Sequence, residues 1–179
     1  MGSHPLHEAI GRLFDQRALP GVEIRKDTAC QPTKRKRITL SLGAGADRAQ
    51  VCFVDLIAVK PGKSMVIIEI EESNVKPVQI FGKFLASALS THQGESRIDR
   101  LPLLFIQVVD TSALKLGKSK KGYQWSSVKA AIKEHARKWP DRRIVYYELL
   151  EGRPTEFEPG SEQADRLVKM VQAFLGVRG

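Results

Sequence analysis

Apolar residues recur three and four apart at the start of the chain and two apart further on, and this change of period divides the sequence. In "PLHEAIGRLFDQR" (5–17), Leu6, Ile10, Leu13 and Phe14 fall on one face of a helix, which "LPG" (19–21) ends. The segment that follows, to about Lys36, is polar and carries no clear period. "RITLSL" (37–42) and "AQVCFVDLIAV" (49–59) then read as strands rich in β-branched residues, with the turn "GAGAD" between them. After Pro61-Gly62, "SMVIIEIEE" (64–72) reads as a third strand.

Helical spacing returns in "KPVQIFGKFLASALS" (76–90), with Pro77 in the first turn. "PLLFIQVVD" (102–110) has the continuous apolar run of a strand covered on both faces. "YQWSSVKAAIKEHARKW" (123–139) predicts a helix and "RIVYYELL" (143–150) a strand. "SEQADRLVKMVQAFLG" (161–176) predicts a closing helix, with Ser161 as N-cap and Gly176 past its end. The order α-β-β-β-α-β followed by α-β-α predicts an α/β fold, a mixed central sheet flanked by helices. At 179 residues this is one domain, with a core over about 5–110 and a C-terminal extension over about 111–179.

Three acids interrupt this apolar pattern. Asp55, Glu69 and Glu71 lie inside strands, where an unpaired carboxylate is costly to bury. Period two puts Glu69 and Glu71 on one face, with Ile68 and Ile70 on the other. A hairpin loop centred on Gly62 places Asp55 opposite Glu69, about 5 Å away at Cβ. That separation suits two carboxylates sharing one hard divalent cation. A two-residue turn at Pro61-Gly62 would send Asp55 to the opposite face instead.

The net charge of +9 adds a second constraint, since it favours a polyanionic partner. Basic residues concentrate in "KRKR" (Lys34, Arg35, Lys36, Arg37) and in "KLGKSKK" (Lys115, Lys118, Lys120, Lys121), candidate contacts to a nucleic-acid backbone. Cys30 and Cys52 form no CxxC pair, which suggests a reduced, cytoplasmic setting. His4, His7, His92 and His135 show no zinc-ligand spacing. No apolar run reaches the roughly 20 residues of a membrane span. "GAGAD" lacks the following helix that a dinucleotide fingerprint requires, and both "GKS" triplets lack the upstream Gly of a P-loop.

A strand Asp, a hairpin, then Glu-x-Glu and a helix resembles the PD-(D/E)XK nuclease superfamily, the restriction-endonuclease-like fold. Its core order matches residues 5–110. Asp55 resembles the first acidic residue of the motif, with Val54 in place of the proline, and Glu69 resembles the second. Glu71 falls where a lysine is usual, and some members similarly carry Glu there. The resemblance implies a Gln on the following helix near the site and, in some members, a lysine that has moved to that helix. Gln79 and Lys83, four apart on a polar stripe away from Val78, Phe81, Leu85 and Leu89, match these, and Lys76 is the second choice for the lysine. A metal-binding Glu on the first helix is also implied, for which Glu8 is the candidate.

The expected activity is Mg²⁺-dependent endonucleolytic hydrolysis of nucleic acid, DNA foremost, with Mn²⁺ able to substitute. Asp55, Glu69, Glu71 and the backbone carbonyl of Ile70 would be the metal ligands. Cutting both strands would favour a homodimer. The alternative is a non-catalytic member of the same fold that binds nucleic acid or protein.

Overall fold

The computed structural model describes residues 4–31, 37–72, 76–112, 127, 129–132, 134 and 145–177. Its elements are α1 (Pro5–Gln16), β1 (Glu23–Lys26), β2 (Ile38–Leu42), β3 (Ala49–Val54), β4 (Leu56–Lys60), β5 (Ser64–Glu71), α2 (Pro77–Leu89), β6 (His92–Gln93), β7 (Ser96–Arg97), β8 (Leu103–Asp110), β9 (Val145–Gly152) and α3 (Glu162–Leu175). The described residues between 127 and 134 are also helical. Among the described residues, no helix is long and apolar enough to cross a membrane.

The strands form two sheets. A five-stranded mixed sheet runs β1-β4-β5-β8-β9, with β5, β8 and β9 parallel and β1, β4 and β5 antiparallel. A smaller antiparallel sheet runs β3-β2-β6-β7. One face of the large sheet carries Leu56, Val66, Ile68 and Ile106 and packs on α1 and α3. The opposite face carries Ile57, Met65, Ile67 and Phe105 and packs on α2 and on Ile38, Leu40 and Val54 of the small sheet. With cover on both sides, β5 and β8 are buried along nearly their whole length, which is why they read as unbroken apolar runs.

Several expectations change here. The predicted strand 49–59 is two strands that belong to different sheets, parted by a bend at Asp55. Asp55 leaves the ladder because its backbone carbonyl accepts the Asp27 N–H at 2.9 Å and its carboxylate accepts another backbone N–H. β1, β6 and β7 are too short and polar to register as a pattern, and their ladders are set by partners far along the chain. Beyond 110, β9 adds a strand to the large sheet that runs on to Gly152, past the predicted end at 150, and α3 shares the core of α1. The predicted helix 123–139 lies largely outside the described residues.

Both predicted caps of α3 form. The Ser161 side chain accepts the Ala164 N–H, and Gly176 takes a left-handed conformation at φ 60°. "GAGAD" is the connection between the antiparallel strands β2 and β3.

Candidate active site

The β4–β5 hairpin fixes the acids. Its ladder runs from Lys60 opposite Ser64 to Leu56 opposite Ile68, so it is centred on Gly62. The connection is three residues long, with Gly62 at φ 68° and the Lys63 N–H bonded to the Lys60 carbonyl at 3.0 Å. Asp55 stands one step beyond the last pair, at the place facing Glu69. There its Oδ2 accepts the Ile70 N–H at 2.7 Å. The N–H and C=O of one strand residue point to the same edge, so the Ile70 carbonyl faces the edge that Asp55 occupies.

Glu69 and Glu71 project from the face of β5 that meets α2, and Lys83 of α2 reaches down to them. Its Nζ lies 3.0 Å from Glu69 Oε2. Glu69 is 0% exposed, and its Oε1 has no hydrogen-bond partner. The Lys83 side chain is 37% exposed, so it spans from solvent to a fully buried carboxylate.

This placement corrects the predicted face of α2. Ile80, Phe84 and Ala88 form its buried stripe, while Val78 is 72% exposed and Phe81 and Leu89 also face outward. The helix had two apolar stripes, and the sheet selected the one whose aromatic ring stacks edge-on against Phe105 and Tyr147. Lys83 flanks that inner stripe.

Gln79 does not join the acids. It is exposed, and its Oε1 accepts the Lys76 N–H at 2.8 Å, closing the first turn of α2. Lys76 is exposed as well. Glu8 turns to Arg12, 3.9 Å away along α1, because it lies on the far side of the helix from the core. Among the predicted nucleic-acid contacts only Arg37 is described, with its guanidinium 5.0 Å from the centre of the Phe53 ring. Lys34, Arg35, Lys36, Lys115, Lys118, Lys120 and Lys121 lie outside the described residues.

The helix residue that does meet the site is His7, whose Nε2 is 3.6 Å from Asp55 Oδ2. Glu72 is largely buried against α1. Its Oε1 accepts the backbone N–H groups of Leu6 and His7 at the helix N-terminus. The signal for His7 was available, since residue 7 lies one residue from Leu6 and three from Ile10, on the flank of the apolar stripe. Nothing in the local sequence marks Glu72 as a cap for a helix 66 residues away.

Electrostatics separate the two facing carboxyls. Burial drives the proton affinity of Glu69 well above the usual range, and the charge of Asp55 drives it further, against the pull of Lys83. Burial acts on Asp55 too, but contacts with His7, with Glu69 and with the Ile70 N–H outweigh it and hold Asp55 below the ordinary range. Burial and mutual repulsion thus push the two facing carboxyls apart, Glu69 toward its protonated form and Asp55 toward its ionised one, as interacting acids that share a site behave. Burial also raises Glu71. Lys83 stays charged: burial opposes this, but Glu69, Asp55 and Glu71 together overcome it.

Comparisons of the chain with protein-family models, with curated proteins and with solved structures gave no match. The chemistry of the site therefore rests on its own geometry. Its donors are all oxygens, and the buried Oε1 of Glu69 lacks a partner. Asp55, Glu69 and the Ile70 carbonyl are donors of the kind a hard divalent cation takes, but among the described residues the three ligand atoms that close to within 4.8 Å of one another are those of His4, His7 and Glu72.

Proposed function

We propose that this chain is a metal-dependent endonuclease that hydrolyses phosphodiester bonds in nucleic acid, with DNA the first substrate to test. The observation that carries the reading is the meeting of Asp55, Glu69 and Lys83, from a strand break, a strand and a helix, at one end of β5, with Glu71 two residues beyond Glu69 on the same face. A structural salt bridge alone would need one acid, whereas here Glu69 binds Lys83 directly and the charges of Asp55 and Glu71 act on it as well, in a chain of net charge +9. Asp55, Glu69 and the Ile70 carbonyl, with Glu71, would hold Mg²⁺ or Mn²⁺. When bound, that cation supplies Lewis-acid polarisation of a phosphate and acidifies an attacking water.

The remaining work falls to the chain itself. Lys83 offsets the local excess of negative charge, without which a polyanion would be repelled, and stabilises charge that builds on the phosphate oxygens. Glu71, half-buried and with raised proton affinity, is suited to accept a proton from water. Asp55 is held by the Ile70 N–H at 2.7 Å, with His7 facing it at 3.6 Å, so its orientation is set before the reaction.

The test is incubation of the protein with supercoiled plasmid and with single-stranded DNA in Mg²⁺ or Mn²⁺, beside Asp55→Ala and Glu69→Ala. Cleavage by the wild type that both substitutions abolish supports the reading. Cleavage that survives both shows a contaminant and removes it. DNA binding with no cleavage in either metal favours a non-catalytic binding protein of this architecture.

A further inference from the structure

Behind the carboxylate site, on the other side of the His7 ring, lies a second cluster of different chemistry. His4, His7 and Glu72 each offer one ligand atom, and these atoms all lie within 4.8 Å of one another. Glu72 Oε2 is 3.0 Å from His4 Nδ1 and 3.3 Å from His7 Nδ1. Two ligands bonded to a tetrahedral zinc at about 2.0–2.1 Å stand about 3.3 Å apart, so both separations match an edge of that polyhedron.

We propose that His4, His7 and Glu72 form a site for a borderline divalent cation of the zinc class, separate from the all-oxygen site of Asp55, Glu69 and Glu71. Three independent observations carry it. His7 Nδ1 is buried and has no hydrogen-bond partner, even though Glu72 Oε2 is within 3.3 Å, because the oxygen lies off the line on which that nitrogen could bond. A cation between the two groups satisfies both.

The carboxylate is also held in advance. Oε1 of Glu72 is fixed by the N–H groups of Leu6 and His7, which leaves Oε2 turned toward the two imidazoles. Finally, the other nitrogen of His7 faces the Asp55 carboxylate at 3.6 Å. A histidine backed by a carboxylate through its second nitrogen is the usual outer-shell support of a bound zinc. His4, 53% exposed, sits at the rim with its Nδ1 3.0 Å from Glu72 Oε2 and completes the set.

Two nitrogens and one oxygen select zinc-class ions, whereas Mg²⁺ keeps to oxygen. The occupied site would tie the N-terminus of α1 to the end of β5 and fix the ring of His7 against Asp55. This site stands whether or not the carboxylate site cleaves nucleic acid.

The test is calorimetric titration of the chelator-stripped full chain with Zn²⁺ in excess Mg²⁺, beside His4→Ala, Glu72→Gln and Glu69→Ala. Glu72→Gln keeps an oxygen acceptor for the helix N–H groups, and circular dichroism checks that each variant folds. The expected result is one Zn²⁺ per chain, weakened about tenfold or more by His4→Ala and by Glu72→Gln and retained in Glu69→Ala. Co²⁺ in place of Zn²⁺ should show the visible absorption of a nitrogen-ligated ion. Absence of Zn²⁺ binding by the wild type overturns the proposal. So does binding that is indifferent to His4→Ala, or that is lost in Glu69→Ala while His4→Ala retains it.

Discussion

The ammonium of Lys83 lies 3.0 Å from the carboxylate of Glu69, joining the middle of α2 to a side chain that no solvent reaches. The pair is asymmetric, since the lysine is 37% exposed and the acid is not exposed at all. Lys83→Ala therefore leaves an acid in the core without its cation, and the full cost of a broken buried pair is discounted because the lysine end is wet. The expected loss is about 1–2 kcal/mol in thermal or denaturant unfolding. Cleavage of plasmid in Mg²⁺ should fall by about a hundredfold or more, as when one preorganised charge stabiliser is removed. Stability unchanged by the substitution would mean that Glu69 is held by something other than Lys83.

The local hydrophobic pattern made Glu69 and Glu71 legible, because period two is a property of the strand itself. Asp55 needed one further fact, the centre of the hairpin, and Pro61-Gly62 narrowed this to two possibilities without choosing. What stayed hidden depends on contacts distant in sequence. The bend at Asp55 is paid for by the N–H groups of Asp27 and Ile70, and neither strand advertises that exchange. The inner face of α2 was ambiguous because Val78, Phe81 and Leu89 make as good an apolar stripe as Ile80, Phe84 and Ala88. Only the sheet beneath decides between them. His7 and Glu72 were missed for the same reason, as each is placed by the docking of α1 against the end of β5.

Asp55 has two roles that substitution can separate. Its Oδ2 accepts the Ile70 N–H, and its charge serves the cation site. Asp55→Asn keeps an acceptor oxygen and loses the charge, so it should fold within about 1 kcal/mol of the wild type yet lose Mg²⁺ binding and cleavage. Asp55→Ala also strands the Ile70 N–H, at a cost of about 1–3 kcal/mol. Denaturant midpoints for the two variants, read beside a cleavage assay, check the order. Equal destabilisation by Asn and Ala would show that the hydrogen bond to Ile70 contributes nothing.

The buried acid gives the protein a pH signature. Glu69 holds its proton more tightly in the folded chain than at its ordinary value of 4.5. The folded state then binds more protons than the unfolded state above that value, so stability falls as pH rises through this window. Glu69→Gln removes the liability. It should raise the melting temperature at about pH 8, by the equivalent of about 1 kcal/mol, with little gain at about pH 4, where the acid is neutral in both states. Apparent Mg²⁺ affinity of the wild type should climb over the same window, because the cation displaces a proton. A Gln variant less stable than the wild type at pH 8 would refute the assignment.

Two glycines should fail on substitution for opposite reasons. A Cβ at Gly11 would lie 2.0 Å from the backbone carbonyl oxygen of Cys30, so α1 docks against that loop only through a bare Cα. Gly11→Ala gains up to about 1 kcal/mol of helix propensity and loses more to the clash, for a net destabilisation of about 2 kcal/mol or more. Because α1 carries His7, this variant should also impair Zn²⁺ binding. Gly62 has open space around it but sits at φ 68° in the hairpin connection. Gly62→Val should cost about 1–2 kcal/mol through the backbone alone, and Gly62→Asn less, since asparagine tolerates the left-handed region. Neither Gly62 variant touches the acids, so cleavage per folded molecule should be unchanged. A Gly62 variant that folds normally but loses cleavage would mean that the turn itself contacts substrate.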